Sequence, residues 1–177
     1  LGHARCPRRR LYPRQRAVNA LLSDKTGELV TLNIGNNGGA SSSVFEMAES
    51  KTMWPDISHI GQIRIVSTTL DSLAPSLPDN IDALVMDTEG AELSILIGGP
   101  SVVSRVRYIK LEAADVPVYR GAPLLPEIGA FLRQQGFRQK ARWRFRRHPG
   151  GGGCYDVVFA RYGYTRPQPP TASVPLR

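Results

Sequence analysis

The tightest constraint on the fold of this chain is the stretch from Ile81 to Pro100. Ile81–Met86 is a compact apolar run interrupted only by Asp82, and it passes at once into Asp87-Thr88-Glu89-Gly90-Ala91-Glu92. Ala91, Leu93, Ile95, Leu96 and Ile97 then supply the apolar positions of a helix. Gly98-Gly99-Pro100 stops it, because Gly accepts left-handed dihedrals and Pro cannot continue a helix. Strand, acidic turn, helix is the building unit of an α/β domain with parallel strands.

The rest of the chain alternates short apolar runs with helical stretches, which predicts an α/β fold with a largely parallel sheet. Ala17–Leu22 and Glu28–Ile34 read as strands joined in a hairpin by the turn Ser23-Asp24-Lys25-Thr26-Gly27. Gly35–Ser43 reads as a loop, Val44–Ser50 as a short helix, and Ile63–Thr68 as a strand leading into Leu70–Leu73, with Pro75 and Pro78 ending that segment. Val106–Leu111 makes the next strand and stops at Glu112. Pro126–Gln135 makes a helix, with Ile128, Phe131 and Leu132 on one face and Gly136-Phe137 closing it. Ala141–Arg147 and Cys154–Arg161 form a terminal antiparallel pair across the loop from His148 to Gly153. A competing reading takes Leu29–Ile34 and Gly35-Asn36-Asn37-Gly38-Gly39 as a strand and a Gly-rich loop approaching a cofactor. The glycine spacing is not G-x-G-x-x-G, and no clear second strand ending in an acid follows, so the hairpin loop is preferred.

With 177 residues the length fits a single domain. The net charge of +8 is segregated: six arginines lie in residues 1–16 and seven Lys and Arg in residues 133–148, without an acid in either, whereas residues 17–132 are net acidic. The domain is therefore placed at 17–162. A basic irregular segment, 1–16, precedes it and a Pro-rich disordered tail, 163–177, follows. No apolar run approaches the ~20 residues of a membrane helix, and no signal peptide is evident, so a cytoplasmic location is expected. Cys6 and Cys154 cannot form a disulfide framework. His3, His59 and His148 have no zinc-ligand spacing, and a G-x-S-x-G nucleophile turn is absent.

Ligands of open parallel sheets bind beyond the carboxyl ends of the strands. Asp87 and Glu89 follow one strand and Glu112 follows the next, so two neighbouring strand ends aim acids into one crevice. Acids in a first helical turn also stabilise the helix dipole, and Glu92 is read that way. Asp87 and Glu112 terminate buried strands, where a charge is costly unless something uses it. The stretch Arg142-Trp143-Arg144-Phe145-Arg146 alternates cations and rings at strand period. It reads as an edge strand whose rings pack on the sheet and whose charges deter pairing, against a competing reading as a phosphate-contacting, base-stacking surface.

Several of these elements are familiar as an ordered set. Thr69-Leu70-Asp71-Ser72-Leu73, Asp82–Met86 with Asp87-Thr88-Glu89-Gly90-Ala91-Glu92, Ile109-Lys110-Leu111-Glu112 and Phe131–Phe137 resemble the FkbM-type methyltransferases in order and spacing. Val18–Gly27 and the loop holding Ser41-Ser42-Ser43 are similar to the middle of that family. The resemblance implies a Rossmann-like, three-layer α/β sandwich with a mostly parallel sheet and a C-terminal antiparallel hairpin. It also implies S-adenosylmethionine as cofactor and, as acceptor, the hydroxyl of a sugar, a polyketide or another small molecule. The family's opening strand, Gly-rich loop and ribose-binding acid have no counterpart upstream of residue 17, so the domain is expected to be incomplete at its amino end.

On this reading Asp87 orients substrate or cofactor, Glu89 or Glu112 is the base, and Ser23-Asp24 lies near the adenine by family analogy. Two or three carboxylates and water suffice to hold Mg²⁺, although the sequence does not demand it. No membrane partner and no nucleic acid are expected, and the sequence does not fix an oligomeric state. The alternatives are a nucleic-acid-binding module built on the Arg-rich segments and a catalytically dead remnant of the same fold.

Overall fold

The computed structural model describes residues 16–163. Residues 1–15, and the tail from residue 164, lie outside the described residues, and with them most of the expected basic segment and disordered tail.

The larger sheet contains β4 (Ala83–Met86), β5 (Tyr108–Ala114), β6 (Phe137–Arg147) and β7 (Gly153–Arg161), in the order β4-β5-β7-β6. β4 and β5 are parallel, as a strand–helix–strand crossover requires. The terminal hairpin adds β7 antiparallel to β5, and β6 antiparallel to β7. A smaller sheet has the order β1-β3-β2, from β1 (Leu21–Leu22), β2 (Leu29–Gly35) and β3 (His59–Thr68). Parallel pairing is limited to β4/β5 and β1/β3 among the described residues, so the architecture is mixed α/β and the expected mostly parallel sheet is corrected.

Two local expectations also change. β1 pairs with β3 instead of forming a hairpin with β2. Ser67 explains this, because its carbonyl accepts from Gly27 N–H and its hydroxyl donates to the Lys25 carbonyl. Both contacts hold the Ser23–Gly27 turn against β3, with β1 on one edge and β2 on the other. The helix expected at Val44–Ser50 is replaced by α1 (Ser50–Met53). The N–H groups of Ala48, Glu49 and Ser50 donate to the carbonyls of Val118 and Pro117, and Met47 bridges Tyr119, so this backbone is committed elsewhere before a helix can form.

α3 (Glu92–Ile97) ends at the glycine pair as expected, but Pro100 then starts a further helix, α4 (Pro100–Arg105). Pro suits a first helical position because its missing N–H is not needed there. The Asp71 carboxylate, from α2 (Leu70–Leu73), accepts the N–H groups of Ser101 and Val102 and caps the new helix.

The core lies on one face of the larger sheet. β5 alternates strictly, with Ile109, Leu111 and Ala113 buried and Tyr108 and Lys110 exposed. With Met86, Val157 and Phe159 they meet Ile95 and Leu96 of α3 and Ile128 and Leu132 of α5 (Leu125–Gln134). Each such side chain contributes roughly 1.5–3 kcal/mol by leaving water. The opposite face is open: Val85 is 69% exposed and Trp143 57%. The helices therefore cover one face, and the described residues do not form the expected third layer. β6 is an edge strand as expected, yet Trp143 and Phe145 do not pack onto the sheet, because no helix or loop covers that side to bury them.

Candidate active site

At the carboxyl ends of β4 and β5 the chain closes a cavity of about 230 Å³. The turn after β4 forms its acidic wall and is unusually constrained. Glu89 is the one non-glycine residue with positive φ (53°) among the described residues, and Gly90 follows at φ 100°. A left-handed non-glycine residue costs on the order of 1 kcal/mol or more and persists only where its surroundings over-determine it. Three contacts do so here. The Ser43 hydroxyl donates to the Glu89 carbonyl at 2.6 Å, and the Tyr119 hydroxyl donates to Glu89 Oε2 at 2.7 Å. Glu92 reaches back so that its Oε1 accepts both the N–H and the hydroxyl of Thr88, each at 2.8 Å. Gly90 is required by space as well as by dihedral, since a Cβ there would lie 2.9 Å from the Ala122 Cβ and 3.3 Å from the Phe45 ring.

Glu112 lies within β5, which does not stop there as expected but runs on to Ala114, because β7 continues the pairing through Glu112–Asp156 to Ala114–Cys154. The parallel register pairs Met86 with Leu111, so the next residues, Asp87 and Glu112, are neighbours on adjoining strands. Glu89, Glu92 and Glu112 all line the cavity. Asp87 is exposed and outside its walls. Ser23 and Asp24 are elsewhere: the Ser23 carbonyl packs against Gly98, at the opposite end of α3 from Glu92. The structure thus brings together Glu89 and Glu112 with Asp87 alongside, and leaves Ser23 and Asp24 apart from them.

The electrostatics follow from this crowding. Burial, reinforced by the charges of Asp87, Glu89 and Glu92, pushes the Glu112 carboxyl up to about 8. Burial raises Glu89 as well, against the Tyr119 hydrogen bond, with Asp87 and Glu92 adding to the rise. Glu92 is only 2% exposed, and burial raises it in spite of the hydrogen bonds it accepts from the backbone and from Thr88. Its side chain holds Thr88, in the turn before α3, from within the cavity wall. Tyr119 is driven strongly upward by burial and by Glu89, so it stays a donor. Burial and then Glu112 push the Cys154 thiol up to about 12, which keeps it protonated and unreactive near neutral pH. The described residues hold no group of three or more His, Cys, Asp and Glu arranged to bind a metal ion.

Several residues of the site were not assigned to it from the sequence. Tyr119 lies in an irregular stretch after β5 and reaches the site because its backbone pairs with Met47. Asn37 and Ser41 line the cavity from the Gly-rich loop after β2, a loop read as simple hairpin geometry. Trp54 lines it too. The Arg146 guanidinium stacks on its ring and donates to the Met53 carbonyl, while the ring of His148 approaches Glu49 at 3.2 Å. The β6–β7 hairpin is thereby fastened to α1. Finally, Ser50, on α1, is among the residues lining the cavity, and its buried hydroxyl has no hydrogen-bond partner among the described residues.

Fold and site together define an α/β protein with a cavity beside the carboxyl end of β4, walled by three carboxyls that burial raises above their ordinary range. A family model of the methyltransferase FkbM domain matches residues 5–139, most of the chain, and the chain belongs to that family. No curated protein and no solved structure matches it. No described helix is long and apolar enough to cross a membrane.

Proposed function

We propose that this chain is an S-adenosylmethionine-dependent methyltransferase that acts on the hydroxyl of a small molecule, with the acceptor received in the cavity between Glu89, Glu112 and Ser50. The observation that carries the reading is the meeting of two buried carboxyls, Glu89 and Glu112, both raised by burial and by neighbouring acids, in one cavity beside the carboxyl end of β4. Membership of the methyltransferase family supplies the reaction class.

The cavity is smaller than the ~300 Å³ at which whole small-molecule sites begin. It therefore suits the acceptor and the sulfonium end of the donor, with the nucleoside beyond its walls. The donor supplies an electrophilic methyl group. The chain's own residues do the rest. Tyr119 holds Glu89 in place. Glu112, once ionised, takes the proton from the attacking oxygen. General-base help of this kind is worth roughly 10² to 10⁴-fold, and alignment of the reactants contributes more. Asp87 keeps the crevice negative from outside the cavity. Because Glu112 gives up its proton only near pH 8, the rate rises with pH up to that point.

The test is transfer of radiolabelled methyl from S-adenosylmethionine to a panel of sugar and polyol acceptors by the wild type and by Glu89→Gln, Glu112→Gln and Asp87→Asn. The reading requires transfer by the wild type and a loss of at least about 10²-fold in Glu112→Gln or Glu89→Gln. Wild-type turnover in all three variants would refute it.

A further inference from the structure

Methyl transfer as proposed gives no task to Arg146, the last cation of the alternating stretch Arg142–Arg146. β6 shifts register between Arg144 and Arg146, which brings Arg146 opposite Cys154. Cys154 pairs in turn with Ala114, two residues beyond Glu112, so Arg146, Cys154 and Glu112 share one face of the sheet. A shift of this kind re-aims a side chain. Arg146 thereby reaches Trp54: its guanidinium lies 5.2 Å from the centre of the indole ring, within the ~6 Å reach of a cation–π contact, and donates to the Met53 carbonyl. The backbone of Trp54 is fixed as well. Its N–H donates to the Ser50 carbonyl at 2.7 Å, and its carbonyl accepts from Ile57 N–H at 3.1 Å.

Trp54 lines the cavity and Arg146 does not. The guanidinium therefore holds the ring from outside and leaves its cavity side to a ligand. The walls are of two kinds. Trp54 belongs with Ile57, Val118 and Leu124 to an apolar part, and Glu89, Glu92 and Glu112 make the acidic part. No Lys, Arg or His lines the cavity.

We propose that Trp54 determines which acceptors this site takes, as a platform for the apolar face of an uncharged ring, and that Arg146 is the residue that positions it. That role rests on the methyl-transfer reading only for the fate of the bound hydroxyl. An aromatic face holds C–H surface by dispersion and by excluding water, and a few polar groups then fix the orientation. A ring presents such a face and still directs a hydroxyl from its rim toward Glu89 and Glu112. An open-chain polyol must first be ordered to do the same, which costs affinity. An anionic acceptor meets three acids and no cation, an arrangement that rejects it.

The experiment uses Trp54 as its own reporter. Trp143, the other tryptophan, is exposed on the open face of the sheet, so Trp143→Phe leaves Trp54 as the sole indole. Titration of that protein with cyclohexanediol and with methyl galactoside is expected to change the Trp54 emission saturably. Galactitol and galacturonate are expected to bind at least about tenfold more weakly. In the methyl-transfer assay Trp54→Leu raises KM for the rings about tenfold with little change in kcat, and Trp54→Phe recovers most of the loss. Arg146→Gln raises KM about threefold and shifts the emission of the unliganded protein, and Arg146→Lys largely restores both. Circular dichroism checks that each variant folds. Emission unmoved by either ring would overturn the proposal, as would a wild-type KM in Trp54→Leu or equal affinity for galactitol or galacturonate. Rings that perturb Trp54 without being methylated support the platform and contradict the reaction; methyl transfer with Trp54 silent contradicts the platform alone.

Discussion

Replacing Glu112 by Gln should change how the stability of the protein depends on pH. In the unfolded chain this carboxyl ionises near its ordinary 4.5, but in the folded protein burial and the neighbouring acids hold its proton up to about 8. Between those values the folded state keeps a proton that the unfolded state has lost. Stability therefore falls as pH rises through the window, and the full cost is present above pH 8. At about 1.4 kcal/mol per tenfold change in proton affinity the ceiling is roughly 5 kcal/mol. The carboxyl is partly open to water, which screens it, so a loss on the order of 2 kcal/mol is expected. That is a large share of the 5–15 kcal/mol that typically holds a domain together. Gln keeps the shape and cannot ionise. Urea unfolding followed by circular dichroism should show equal stability of the two proteins near pH 5 and an advantage of about 2 kcal/mol for the variant near pH 9. Parallel stability curves over this range would refute the placement of Glu112 in a desolvated acidic cluster.

Two further substitutions probe the same wall. Tyr119→Phe removes the hydroxyl that donates to Glu89 and should cost about 1 kcal/mol in denaturant unfolding; it should also lower kcat more than it changes KM, because it frees a carboxyl near the reacting atoms. Gly90→Ala places a Cβ against Ala122 and Phe45 at a left-handed position and should destabilise the fold by roughly 2–3 kcal/mol in thermal unfolding.

What the sequence made legible was local. The apolar run before Asp87, the glycine stop at Gly98 and the helix from Pro126 are set by side-chain periodicity and by Gly and Pro dihedrals. They occur as expected. The parallel register that places Glu112 beside Asp87 was legible for the same reason, because a strand–helix–strand unit is parallel, whereas the continuation of β5 to Ala114 is set by its pairing with β7. The contributions of Tyr119, Ser50 and Trp54 were not, since each depends on irregular backbone whose hydrogen bonds go to distant segments: Met47 to Tyr119, and Ser50 to Val118. β1 misled for a related reason. A turn rich in Ser, Asp and Gly predicts a hairpin, and only the tertiary contacts of Ser67 direct it to the other edge of β3. The alternating Arg and aromatic pattern was read with a uniform strand period, which the register shifts at Gln139–Ala141 and Arg144–Arg146 break.

The most direct measurement compares two ligands that differ by one charge and one methyl group. S-adenosylmethionine carries a sulfonium, whereas S-adenosylhomocysteine has a neutral thioether, and the rest of the molecule cancels in the ratio of their affinities. If the sulfonium meets Glu112 in this cavity, calorimetry of the wild type will show that ratio shifting toward S-adenosylmethionine as pH rises through about 8, and the shift will be absent in Glu112→Gln. A ratio that is flat with pH in the wild type, or that changes equally in the variant, would contradict the account.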